Sequence, residues 1–134
     1  MMRSLIAFSV LCLAIFATVG CKKEEPPTPA EMIEGKWTIT SQEILTQVIP
    51  GDGSYLQFNA CSSSCSGVDY KASDTTTGSF NYVLNDEGTV VTITDQSSDG
   101  GSWDATWDVL ELTETSFRIT ATTILGNLKV EMTK

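Results

Sequence analysis

The sequence predicts an all-β fold: a single antiparallel up-and-down β-barrel of about eight strands, following a cleaved signal peptide and a short linker. Three observations carry this expectation. From Lys36 onward, apolar and polar residues alternate with period two, as in strands with one buried face. The alternating runs are separated by Gly, Asn, Asp and Pro clusters that favour tight turns. No run of about ten residues with helical periodicity interrupts them. Closure into a barrel is expected because it removes exposed strand edges, with a β-sandwich as the alternative.

Ahead of the barrel, residues 1–4 carry one cation, Arg3, and residues 5–19 are apolar. That run is shorter than the about 18 residues of a spanning helix and suits a signal-peptide core, giving a signal segment of residues 1–20. Phe16-Ala17-Thr18-Val19-Gly20-Cys21 resembles the lipobox of bacterial lipoproteins, in which the peptidase cuts before a lipidated cysteine. The resemblance implies acyl chains on Cys21 and anchoring in the outer membrane. Residues 21–32 read as a tether, because lysines, glutamates and Pro26, Pro27 and Pro29 favour an extended, solvated spacer. Lys22-Lys23-Glu24-Glu25 resembles the surface-export signal of some Gram-negative lipoproteins; a merely soluble linker is the alternative. Residues 31–34 suit one helical turn before Gly35.

The domain proper is expected at 33–134, with strands at about 36–48, 54–60, 67–72, 78–84, 89–95, 102–111, 115–123 and 127–133. The sixth is the clearest: Trp103, Ala105, Trp107 and Val109 share one face, and Asp104, Thr106 and Asp108 the other. Phe80, Tyr82 and Leu84, then Val91 and Ile93, then Phe117, Ile119 and Ala121, then Leu128, Val130 and Met132 repeat the pattern. Threonine recurs on the opposite faces, where a β-branched polar residue suits a wet sheet surface. Pro50-Gly51-Asp52-Gly53, Asn85-Asp86-Glu87-Gly88 and Gly126-Asn127 are read as hairpin connections.

Gly35-Lys36-Trp37 opening the first strand, the strand count, and Leu112-Thr113-Glu114-Thr115 before the penultimate strand resemble the small lipocalin-like domains of bacterial lipoproteins. The resemblance covers about residues 33–134. It implies that Trp37 packs at the closed end of the barrel against an arginine from a late strand, here Arg118. Strand alternation by itself points Arg118 outward, between inward Phe117 and Ile119.

The chemistry is bounded by what the chain contains. Eight Lys and Arg against 17 Asp and Glu give a net charge of −9, which argues against nucleic acid as a partner. With no histidine, the commonest general base and the commonest metal ligand are both missing. Cys61 and Cys65 are an even pair in an export-targeted chain and are expected to form a disulfide, which forces residues 62–64 into a tight turn. Asp95, Asp99, Asp104 and Asp108 match no calcium-loop spacing and read as solvated turn carboxylates. Glu111 and Glu114 have no nucleophile or base beside them in the sequence, and Asp74-Thr75-Thr76 resembles a bacterial O-glycosylation acceptor. No catalytic residue, metal or cofactor is predicted.

Trp103, Trp107, Phe80 and Tyr82 are the candidate ligand-binding residues. An eight-stranded interior either holds one small ligand or is filled by side chains. The expected function is therefore a lipid-anchored, non-catalytic envelope protein that binds a small apolar or amphipathic ligand. The alternative is an interaction module with a filled barrel, contacting another envelope component. Replacing Cys21 with serine is expected to move the protein from the membrane fraction to the soluble fraction; retention in the membrane would exclude the acyl anchor.

Overall fold

The computed structural model describes residues 20, 23–61, 65–98 and 102–134. The expected signal segment through residue 19, Cys21 with Lys22, and Asp99-Gly100-Gly101 lie outside the described residues. The fold is all-β: α1 (Pro29–Ile33) is followed by β1 (Gly35–Ile44), β2 (Gln47–Pro50), β3 (Tyr55–Phe58), β4 (Cys65–Lys71), β5 (Thr76–Leu84), β6 (Val90–Thr94), β7 (Ala105–Leu112), β8 (Ser116–Thr123) and β9 (Gly126–Thr133). Every pairing is antiparallel, the order runs β2-β1-β3-β4-β5-β6-β7-β8-β9, and pairing of β1 with β9 closes the sheet.

The expected first strand, 36–48, is in fact two. β1 and β2 form a hairpin about Leu45 and Thr46, with Ile44 facing Gln47. Both turn residues have positive φ, 50° and 68°. That conformation suits the right-handed strand twist, but it costs a non-glycine residue about 1–2 kcal/mol. No Gly or Asn marks this turn, so its position is hidden in the sequence.

The segment Pro50-Gly51-Asp52-Gly53 is correspondingly not a hairpin. β2 and β3 lie one after the other along the same edge of β1, Ser41 facing Pro50 and Thr38 facing Tyr55. Three steps along β1 thus match five along its neighbour, and residues 51–54 absorb the difference as an interruption in one continuous stave. Counted this way, nine strands make an eight-stave barrel. Two main-chain bonds hold the interruption: Gly51 N–H to Thr40 O at 2.8 Å, and Ile39 N–H to Ser54 O at 2.9 Å. A Cβ on Gly51 would run into the Ile39 carbonyl.

Two bulges adjust which residues face inward. Thr40 is extra between Ile39 facing Met132 and Ser41 facing Glu131. Leu110 is extra between Val109 facing Ile119 and Glu111 facing Arg118, and is left half exposed.

Helix α1 begins earlier than the expected boundary at residue 33. A capping box starts it: Glu31 N–H bonds the Thr28 hydroxyl, and the Glu31 carboxylate accepts from Thr28 N–H at 2.7 Å. Pro29 stands in the first turn, where its missing N–H is not needed. Ile33 is buried in the core, so the last residues of the expected tether belong to the folded unit.

Gly51→Ala is expected to lower unfolding free energy by about 1–3 kcal/mol, read by urea denaturation, because the Ile39 main chain has to shift to admit the methyl group.

Candidate functional site

The two ends of the barrel differ. At one end, α1 lies beneath the strands and Trp37 is fully buried. Its indole N–H donates to the Ile33 carbonyl at 2.7 Å, and its ring packs on Phe117 at 5.3 Å between centroids. Lys134, rather than Arg118, sits over the Trp37 ring, 4.6 Å from its centre, while its ammonium donates to the Met32 carbonyl at 2.8 Å. Arg118 instead pairs with Glu111 at 2.9 Å on the outer face. Alternation decides this: Phe117 and Ile119 take the inward positions on β8, which turns Arg118 out. The Glu111 carboxyl is held below its ordinary pKa first by the Ser116 hydroxyl, then by Arg118.

Above this closed end the interior is packed with rings. Phe58 lies 5.4 Å from Phe80, 5.0 Å from Tyr82 and 5.9 Å from Phe117, all edge to face. Of the candidate ligand residues, Phe80, Tyr82 and Trp107 are all core residues, each no more than 3% exposed. The Tyr82 hydroxyl donates to the Asn59 carbonyl at 2.7 Å; burial, then the Glu34 charge, raises its pKa. Beside Asn59, the Cys61–Cys65 disulfide closes the β3–β4 connection, with Cα atoms 4.8 Å apart. The intervening Ser62-Ser63-Ser64 lie outside the described residues.

Trp103 is placed differently. It precedes β7, packs on Trp107 at 5.5 Å, and accepts the Trp107 indole N–H on its carbonyl at 3.1 Å. It lines a cavity of about 330 Å³ at the open end, together with Ile39, Gln42, Ile49, Asp52, Ser54, Asp69, Lys71 and Leu128. The four candidate ligand residues are therefore divided: Phe80, Tyr82 and Trp107 are buried in the filled interior and Trp103 stands at its mouth.

The mouth also holds polar groups that the sequence did not single out. Asp69 is 5% exposed, and the Ser98 hydroxyl donates to its Oδ2. Gln96 Nε2 donates to that serine at 3.1 Å, and Gln96 Oε1 accepts from Trp103 N–H at 2.7 Å. Asp104 anchors the same loop by accepting from Gln96 N–H at 2.9 Å. This chain of bonds ties the β6–β7 loop, and Trp103 with it, to the buried carboxylate on β4. Gly78, directly across from Asp69, leaves room for both the carboxylate and Ser98. At the rim, the Ser54 hydroxyl and N–H hold the Asp52 carboxyl below its ordinary pKa. A signal for Asp69 did exist: Gly67, Asp69 and Lys71 share the inward phase of β4, where a carboxylate is out of place. Ser98 and Gln96 carry no such signal, being polar residues in a loop.

Among the described residues, no group of three His, Cys, Asp or Glu side chains is disposed to hold a metal ion. No protein-family model matches the chain, and no curated protein matches it in sequence.

Phe58→Ala is expected to cost about 3–5 kcal/mol in urea denaturation, as for a ring removed from a close-packed core. A loss below about 1 kcal/mol would instead indicate a ring lining open space.

Proposed function

We propose that this is a lipid-anchored cell-envelope protein whose lipocalin-like barrel acts as a non-catalytic interaction module, contacting another envelope component through its outer surface and open end. The observation that carries this reading is the filled interior. Trp37, Phe58, Phe80, Tyr82, Trp107 and Phe117 are all buried in one hydrophobic core, and all but Trp107 are joined to one another by ring contacts. An interior packed in this way has no room for a deeply held apolar ligand. The Gly20-Cys21 junction supports the lipid anchor, and the Pro-rich stretch after it supports attachment through a short tether.

The outer surface supports the same reading. Leu45, Ile124 and Leu125, each at least 63% exposed, sit on neighbouring turns at the open end. Leu45 reaches the position a Cβ on Gly126 would take, so the two turns touch. Val48 extends this apolar surface along β2, whose four residues are all exposed and which pairs only with β1 among the described strands. Exposed apolar residues gathered at one place mark contact surfaces, and an unpaired strand edge is a ready acceptor of another chain.

A photo-crosslinking residue at Leu125 in intact cells is expected to give a discrete adduct of higher mass, absent when the same residue replaces exposed Val83 on β5. No adduct from position 125, or the same adducts from both positions, would refute the interaction reading.

A further inference from the structure

We propose that the free edge of β2 accepts a short extended segment of a partner protein, carrying Lys or Arg at alternate positions, as an added antiparallel strand. The proposal rests on the interaction reading and gives that contact a chemistry, a strand direction and a register.

The starting observation is the phase of the β1–β2 pairing. Ile44 and Gln47 flank the two-residue turn and so form a bonded pair, and bonded pairs alternate along an antiparallel ladder. Gln47 and Ile49 therefore direct their main-chain groups at β1, whereas Val48 and Pro50 direct theirs away from it. The bond from Gly51 N–H to Thr40 O at 2.8 Å keeps the same phase. No described strand lies on that outer edge. Val48 thus presents a donor and an acceptor, and Pro50, without an N–H, an acceptor alone. On the neighbouring part of the stave the same edge is filled, because β4 pairs with β3, Tyr55 facing Tyr70. A strand added to β2 continues the line and direction of β4 past its turn into β5. Its residue opposite Val48 exchanges two main-chain bonds, and the residue two positions earlier donates one to the Pro50 carbonyl. A short edge with one proline gives a single segment a defined register and offers little to open-ended sheet growth.

The partner's chemistry follows from what surrounds the edge. Val48 is 62% exposed on the outer face, beside Ser41, Glu43, Lys129 and Glu131. Lys129 stands 3.6 Å from Glu43 and 3.5 Å from Glu131, so one ammonium serves two carboxylates. Beyond Pro50, Asp52 is exposed. Lys71, at the same end of the edge, lies 3.6 Å from Asp74 Oδ2. Four carboxylates thus stand against two ammonium groups, in a chain of net charge −9. A second copy of this chain would bring like charge to the edge. A lysine or arginine opposite Val48 instead lays its aliphatic stem on the valine and carries its charge towards Glu43, which faces Val48 across the β1–β2 pair.

The test uses the full-length protein, isotope-labelled, and three end-blocked heptapeptides: Lys-Val-Lys-Val-Lys-Val-Lys, the same peptide N-methylated at every lysine, and its glutamate counterpart. Binding is read from backbone amide shifts in NMR titrations. The lysine peptide is expected to saturate at millimolar concentration or below, with the largest shifts on β2. N-methylation and glutamate are each expected to weaken binding by about tenfold or more. Val48→Pro is expected to keep the fold, because the Val48 N–H points away from β1, and to weaken binding by about tenfold or more. Absence of saturable binding, shifts centred away from β2, equal affinity for the N-methylated or glutamate peptide, or undiminished binding in a folded Val48→Pro protein would each overturn the proposal. So would concentration-dependent dimerisation of the protein alone through β2, which would assign the edge to a second copy. If Val48→Pro does not fold, the comparison of the three peptides on the unaltered protein decides the matter. Failure of the lysine peptide with the adduct at position 125 intact overturns the added strand alone; loss of both overturns the interaction reading as well.

Discussion

The barrel depends on β1 offering both of its edges. One edge carries β2 and β3 in succession, and the other carries β9, whose pairing closes the sheet. Without that double use the outer strands would be left with unpaired main-chain groups, and the ring cluster would lose its enclosing wall. β1 also begins at the closed end, where Trp37 bonds to Ile33, and ends at the exposed turn of Leu45 and Thr46. It therefore ties the plugged end of the molecule to its open one. The interruption at residues 51–54 follows from the same constraint. Two segments of one stave must pair with a single strand that bends at the Thr40 bulge, and Gly51 fits against the Ile39 carbonyl because it has no Cβ.

Most of the strands were legible because alternation is a direct physical signal. Phe80 and Tyr82, Val91 and Ile93, Phe117 and Ile119, and Val130 and Met132 are inward pairs that could be picked out by period alone. What escaped the sequence was geometry without a residue signature. Leu45 and Thr46 turn the chain in a conformation usually marked by Gly or Asn. Pro50-Gly51-Asp52-Gly53 has turn composition, yet its glycine serves close approach rather than reversal. Thr28 and Glu31 did spell a capping box, but the surrounding prolines made the segment look like spacer. At Trp37, the resemblance pointed to Arg118 as the cation, whereas Lys134, just beyond β9, is the one in reach. The disulfide was legible because two cysteines this close in a chain read as exported leave few other uses for them.

The site was less legible than the fold, for a related reason. Period two says which side chains point inward but not how far along the barrel axis they sit. Trp103 and Trp107 appeared equivalent in sequence, yet Trp107 is in the plug and Trp103 at the mouth. Asp69 is anomalous only once β4 is known to turn that position inward. Its neighbours in space, Ser98 and Gln96, come from a loop whose path no periodicity describes.

The separation between a plugged end and an open end gives the molecule a direction. The rings and α1 stabilise one end, so the open end is free to carry groups that do not favour folding: a buried carboxylate with one oxygen lacking a hydrogen-bond partner among the described residues, two turns of exposed aliphatic residues and a strand edge. The chain enters at the plugged end through α1. Between Cys21 and Thr28 it can extend at most about 25 Å. If the protein is anchored through Cys21 as proposed, this short reach and the entry point together hold the plugged end towards the membrane and turn the open end away from it. The acidic mouth and the apolar turns would then face soluble or neighbouring envelope components rather than the protein's own lipid surface. On that proposal, attachment and recognition would lie at opposite ends of one barrel, with the aromatic plug between them.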